Sequence, residues 1–256
     1  MAVLWFIGAG LDDERGLSAR ALEVLRTTRT VFAEEYTSVL APGSLDRLAD
    51  ALGAPIVCLD RASLESGVPV LEALTQGGPI ALLTAGDPFA ATTHVALRLA
   101  CEKAGHTWKY LPAASIVTAA AGFLGLMQYR FGRVVSVPFT SPGFAPTSPL
   151  LLIERNRSMD LHTLVLLDLR PSEHRFLAAS EALEYLFALD ADRRVLAPDR
   201  PLGVVARVGT DSAQAWWGVP EVLRRVDFGP PLHAVIVPAP TLHFEEEAAV
   251  ERYRVL

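Results

Sequence analysis

The sequence predicts an α/β fold in two parts, a parallel-sheet N-terminal domain followed by a mixed-sheet C-terminal domain. Three observations carry that expectation. Of 256 residues, 51% are hydrophobic and only 20% charged, ample for a large core and far from the composition of a disordered chain. The first half alternates short apolar runs with helical patterns, the rhythm of βαβ units around a doubly covered parallel sheet. After Pro112 that rhythm changes, with more strands per helix, which places a domain boundary near residues 111–114. The expected domains are therefore 1–111 and 112–256.

Taken in order, Val3 to Ile7 is a compact apolar run stopped by Gly8-Ala9-Gly10. Ser18 then suits the N-cap of a helix carrying Ala21, Leu22 and Leu25 at helical spacing. Strands are expected at 30–35, 56–59 and 79–86, with a helix through Val70, Leu71 and Leu74 that ends at Gly77-Gly78. A helix over 91–105, closed by Gly105, precedes a strand at 107–111. In the second half, helices are expected at 115–129 and 174–192 and strands at 133–139, 162–169, 202–209 and 232–239. Residues 140–150 hold three prolines and a glycine and read as a loop; the tail from Phe244 begins helical and then frays.

The charge balance excludes some function classes. Acidic residues exceed basic ones, 23 − 29 = −6, so a generic nucleic-acid binder with a basic field is disfavoured. Two cysteines, Cys58 and Cys101, form no C-x-x-C, and none of the six histidines shows H-x-x-x-H or H-E-x-x-H spacing. No metal site is therefore expected. Apolar stretches fall far short of the roughly 20 residues that span a bilayer, and no basic segment precedes the first one. The expectation is a soluble, cytoplasmic protein with no membrane contact.

Three constellations could carry chemistry. Gly8-Ala9-Gly10-Leu11-Asp12-Asp13 is a glycine-rich turn after the first strand, but it lacks the third glycine of G-x-G-x-x-G. In 84-TAGDPFAATTH-94 an apolar strand runs into Gly86-Asp87-Pro88 and then toward a helix. Asp87 either caps that helix or faces a ligand at the carboxyl edge of the sheet, where α/β sheets bind theirs. In 112–132, Gly122 and Gly125 lie inside an expected helix at a cost of about 1 kcal/mol each relative to alanine, which close packing usually offsets. Ser115 stands at the start of that helix, whose N–H groups suit a carboxylate.

The blocks WFIGAGLDDE (5–14), AEEYTS (33–38), TAGDPFAATTH (84–94), ASIVTAAAGFLGLMQYRFGR (114–133), LHTLVLLDL (161–169) and FGPPLHAVIVPAPTLHFEEEAAV (228–250) resemble the diphthine synthases, a branch of the tetrapyrrole methylase superfamily. The G-D-P block is shared across the superfamily; the AEEYTS and LHTLVLLD blocks are specific to the branch. The resemblance implies a two-domain enzyme that binds S-adenosylmethionine in the cleft between its domains. It further implies methylation of the amino group of a 3-amino-3-carboxypropyl-histidine on elongation factor 2, giving diphthine, and a homodimer. Carried over residue by residue, the cofactor contacts are Leu11, Asp87, Ala90, Ser115, Ile116, Leu167, Val208 and His233. Val208 stands in A-R-V-G-T where the family has A-R-A-G-S. Glu35 and Tyr36 are candidates for the substrate side, and no general base is assigned. Asp87→Ala is then expected to weaken cofactor binding with the fold intact, and Trp216 or Trp217 to lie near a dimer contact. The alternative is a precorrin-type tetrapyrrole C-methyltransferase. Those enzymes commonly carry G-A-G-P-G-D after the first strand, where this chain has Gly8-Ala9-Gly10-Leu11-Asp12-Asp13.

Overall fold

Continuous apolar runs become strands buried on both faces. The computed structural model describes residues 2–34, 36–191 and 195–256 and divides into two compact units. The first comprises the chain up to Ile116 together with Pro171–Glu173; the second comprises Val117–Arg170 and His174–Leu256.

In the first unit the elements run β1 (Val3–Gly8), α1 (Ala19–Thr27), β2 (Thr30–Glu34), α2 (Ser44–Leu52), β3 (Ile56–Leu59), α3 (Arg61–Ser66), α4 (Val68–Thr75), β4 (Pro79–Thr84), α5 (Val95–Lys103) and β5 (Thr107–Leu111). All pairings are parallel, in the order β3-β2-β4-β1-β5. The parallel sheet expected of the N-terminal part is therefore present. Alternate residues serve two cores. Phe6, Phe32, Leu82, Leu97 and Cys101 fill one face, while Ile7, Leu25, Ala33, Leu48 and Leu83 fill the other. Ser18 caps α1 as expected, its hydroxyl accepting from the Ala21 N–H at 3.1 Å. The helix expected from residue 91 begins only at Val95; the intervening residues form a structured turn described below.

The second unit contains α6 (Ile116–Leu124, whose first residue groups with the first unit), β6 (Val135–Val137), α7 (Ser148–Ser158), β7 (Thr163–Leu167), β8 (Leu169–Arg170), β9 (Arg175–Phe176), α8 (Ala179–Leu189), β10 (Leu202–Ala206), β11 (Gln214–Gly218), α9 (Pro220–Leu223), β12 (His233–Val237) and α10 (Phe244–Val250). Its main sheet, ordered β11-β10-β12-β7-β6, is mixed: β6 runs parallel to β7 and the other pairs are antiparallel. The loop expected over 140–150 ends early, because α7 starts at Ser148 with Pro149 in its first turn, where a missing N–H costs nothing. Gly125 is not inside a helix. It ends α6 with φ +91°, and a Cβ there would sit 2.5 Å from Ala249 Cβ of α10. Gly122 is helical, but nothing lies within 4 Å of its would-be Cβ, so close packing does not explain it. Trp217 is buried in the core of this unit, while Trp216 is half-buried with its ring 5.1 Å from that of Phe228. Among the described residues no helix is long and apolar enough to cross a membrane.

Candidate active site

In the first unit the turns after β1, β4 and β5 meet at the carboxyl edge of the sheet. Gly8 ends β1 where a Cβ would lie 2.7 Å from the Gly86 carbonyl and 2.6 Å from Ala113 Cβ, so only glycine permits this approach. Two residues on, Gly10 and Gly86 exchange backbone hydrogen bonds across the gap, each with positive φ. This edge collects five of the expected cofactor residues: Leu11 after β1, Asp87 and Ala90 after β4, and Ser115 and Ile116 after β5. Asp87 does not cap a helix. One of its oxygens accepts from the Phe89 N–H at 2.9 Å; the other accepts from the Tyr110 hydroxyl at 2.5 Å and the Ala113 N–H at 3.2 Å. Burial, followed by the hydrogen bond to this carboxylate, pushes the Tyr110 pKa up and keeps its phenol protonated. Asp87 thus ties the β4 turn to β5 and to the chain beyond it.

The same turn places a second polar group. Ala90 N donates to the Asp87 carbonyl, Ala91 takes φ 59°, and the Pro88 carbonyl accepts from Thr92 Oγ1 and, at 2.7 Å, from His94 Nδ1. His94 and Glu34 are each only 2% exposed, with His94 Nε2 4.0 Å from Glu34 Oε1. Glu34 ends β2 and accepts from the N–H groups of Tyr36 and Thr37, both at 3.1 Å, and from the Thr37 hydroxyl. Tyr36, a substrate-side candidate, is half-buried with its hydroxyl 3.2 Å from Thr93 Oγ1. Glu35, the other candidate, lies outside the described residues. Sequence reasoning did not bring Glu34 and His94 together; both lie inside the AEEYTS and TAGDPFAATTH blocks.

In the second unit Leu167, Val208 and His233 gather at one edge of the mixed sheet. Leu167 closes β7, His233 opens the antiparallel β12, and Val208 follows β10, whose Ala206 pairs with His233. His233 Nδ1 accepts from the Ala179 N–H at 3.2 Å, so the ring proton sits on Nε2, which is buried without an acceptor. Burial is the leading cause that holds the His233 pKa down, so the ring is neutral; the carbonyls of Phe228, Pro230 and Gly229 lie on its side, but none makes a hydrogen bond to Nε2. Arg207 takes φ 51° and spreads its guanidinium over Ser212, Gln214, Phe228 and Pro230, bracing the turn that bears Val208.

Comparison with known proteins decides the family. A model described as Tetrapyrrole (Corrin/Porphyrin) Methylases matches residues 3–220. Diphthine synthase of Methanosphaera stadtmanae is 37% identical over 251 residues, covering 97% of this chain and 94% of that protein. The diphthine synthase of Methanocorpusculum labreanum is 38% identical over 252 residues, covering 98% of each. A crystal structure of diphthine synthase superposes with a TM-score of 0.89 at 35% identity, covering 98% of this chain and 96% of that one. The chain belongs to the tetrapyrrole methylase family, in its diphthine synthase branch. It is therefore a methyltransferase, and the α/β architecture with one parallel and one mixed sheet is that of the family.

The LHTLVLLD block has a structural role in this fold. His162 is fully buried; its Nδ1 accepts from the Ala239 N–H at 2.9 Å, and its Nε2 donates to Glu246 at 3.0 Å. Glu246 also accepts from the N–H groups of Met127 and His243 and from Arg130, which reaches on to Asp160 and the Thr241 carbonyl. Burial pushes the Glu246 pKa up, but these donors together carry it below the usual carboxylate range. Among the described residues, no group of three or more His, Cys, Asp or Glu side chains is arranged to hold a metal ion.

Proposed function

We propose that the chain methylates the amino group of the 3-amino-3-carboxypropyl-histidine of elongation factor 2, with S-adenosylmethionine as donor, to give diphthine. The full-length likeness to diphthine synthases carries this reading. The bound cofactor would supply a methyl group on a sulfonium for in-line displacement by the amine. Leu11, Asp87, Ala90, Ser115 and Ile116 of the first unit, with Leu167, Val208 and His233 of the second, are the proposed cofactor contacts. The residues suit that ligand. His233 offers a buried Nε2–H with no acceptor, the group that an adenine nitrogen or a carbonyl would satisfy. The glycine-lined edge at Gly8, Gly10 and Gly86 leaves backbone groups approachable. Asp87, with three protein donors, acts by holding that edge in place.

Such an enzyme supplies proximity, alignment and exclusion of water; no covalent nucleophile is needed. Tyr36 and Glu35 are the proposed substrate-side residues. A homodimer in the cytoplasm is the proposed working form, and the net charge of −6 suits a cationic partner surface better than a nucleic acid. Intact-mass spectrometry of elongation factor 2 bearing the unmethylated side chain, after incubation with this protein and S-adenosylmethionine, tests the reading. Mass gains in steps of one methyl group support it. No gain, with cofactor binding shown by calorimetry, redirects it to another acceptor.

A further inference from the structure

Glu34 and His94 present an unfinished hydrogen-bond network. The Pro88 carbonyl can only accept, so His94 Nδ1 carries the ring proton and Nε2 presents a lone pair. That lone pair has no partner and lies 4.0 Å from Glu34 Oε1, the oxygen that accepts from the Thr37 hydroxyl. Two acceptors thus face each other in the protein interior with no donor of the chain between them, an arrangement that is repulsive until one proton is added. Thr84, paired with Glu34 across β2 and β4 and so on the same face of the sheet, adds a buried hydroxyl that also lacks a partner. One proton on Nε2 would turn the gap into an imidazolium–carboxylate pair.

A route to the outside exists. The Thr37 hydroxyl donates to Glu34 Oε1, and Thr37 is half-buried at the turn beside Tyr36. We propose that Thr37, Glu34 and His94 form a relay that removes the proton from the protonated substrate amine before methyl transfer. This rests on the amine reading above. Thr37 accepts a proton from the amine nitrogen as its own hydroxyl proton passes to Glu34, and the carboxyl hands that proton to His94 Nε2 once the 4.0 Å gap between them closes to hydrogen-bond distance. The amine leaves the step neutral and able to attack; the pair holds the proton until it returns to solvent. Glu34 and His94 act through Thr37 and are positioning groups. Burial lowers the His94 pKa and Glu34 raises it, so the resting ring is neutral and the acceptor is ready. The other titratable groups nearby are engaged elsewhere: Asp87 with Tyr110, and Arg61 over the Tyr36 ring at 5.8 Å.

The test compares wild type, Glu34→Gln, Thr37→Val and Thr37→Ser, measuring kcat and KM for the elongation factor against pH at saturating S-adenosylmethionine. The Glu34→Gln change keeps the side-chain volume and offers an amide N–H to His94 Nε2, which closes the gap without a basic group. Near pH 7, where an amine α to a free carboxylate is protonated, Glu34→Gln and Thr37→Val should lose about tenfold or more in kcat with KM unchanged. At a pH about one unit above the amine's own pKa it deprotonates unaided, and both should recover to within about twofold of wild type. Thr37→Ser should behave as wild type throughout. A deficit equal at both pH values, no deficit, or a Thr37→Ser no better than Thr37→Val overturns the relay. Should Glu34→Gln not fold, the half-buried Thr37 pair decides alone. Wild-type protein that adds no methyl group overturns the amine reading and the relay with it, whereas wild-type turnover with unaltered variant profiles overturns only the relay.

Discussion

Two buried histidine–glutamate pairs in this chain have opposite hydrogen-bond balances. In the second unit, His162 and Glu246 lie 3.0 Å apart, and both ring nitrogens and both carboxylate oxygens have partners. In the first unit, His94 and Glu34 stand 4.0 Å apart, His94 Nε2 has no partner, and the neighbouring Thr84 hydroxyl has none either. Chemistry and burial are nearly the same in both; completeness differs. A closed network fixes β7, α10 and the chain around Arg130 in one arrangement, whereas an open one leaves an unmet demand that a proton or ligand can meet. Identical residue types therefore mark structure in one unit and point to function in the other.

The largest effect should come from breaking the closed pair. Glu246→Ala strands the N–H groups of Met127 and His243, the Arg130 guanidinium and His162 Nε2–H, so it should cost about 3–5 kcal/mol. Urea unfolding measures this, and a loss below about 1 kcal/mol would show the network to be dispensable. Next comes Asp87→Ala, which removes three hydrogen bonds and should cost about 2–3 kcal/mol. The fold is still expected to stay intact, at this lower stability. Calorimetry with S-adenosylmethionine should show weaker binding alongside the lower midpoint, and unchanged affinity would separate the turn from the cofactor.

Acid should act on the two pairs differently. His94, His162 and His233 all have pKa values held below the ordinary histidine value, with burial the leading cause in each. The unfolded chain then binds more protons, so stability present above pH ~6.5 is lost as the pH falls through the folded values, by up to about 1.4 kcal/mol per pH unit for each proton. Protonating either ring creates an ion pair with its glutamate, but on His162 the new N–H is set against the Ala239 N–H, whereas on His94 it fills a position without a partner. NMR titration should find His94 gaining its proton at higher pH than His162, with His162 resisting until the fold is lost. The reverse order would erase the distinction between the pairs.

How much of this is legible in the sequence depends on the range of the interaction. The parallel sheet is legible because 3–7, 56–59 and 80–83 are unbroken apolar runs, a local property. The carboxyl-edge site is legible because Gly86-Asp87-Pro88 and its companion blocks resemble a known family. α7 is hidden because Pro146 and Pro149 read as loop residues, although proline suits a first helical turn. Gly125 reads as a helical cost when it is a helix stop, since only φ +91° and the nearness of Ala249 reveal its use. Of the two adjacent glutamates in AEEYTS, the one facing the α5 side of the sheet follows from register. Glu34 shares its face with Phe32 and pairs with Thr84, and no local pattern joins it to His94 in the turn before α5. Distances across the fold decide which polar residues lack a partner, and no spacing rule contains them.

The smallest effect sharpens the comparison most. Thr84 Oγ1 is buried without a partner, and valine has nearly the same shape without the hydroxyl. In the closed network every deletion leaves a stranded donor; at Thr84 the substitution removes a polar group that was already stranded. Thr84→Val should therefore be neutral or stabilising by up to about 1 kcal/mol, because burying an unsatisfied hydroxyl already carries a desolvation cost of about that size. Chemical denaturation of Thr84→Val beside Glu246→Ala sets the two limits on one scale. A loss of about 2 kcal/mol or more at Thr84 would mean that its hydroxyl is engaged in the folded protein, and the first-unit network would then be as complete as the second.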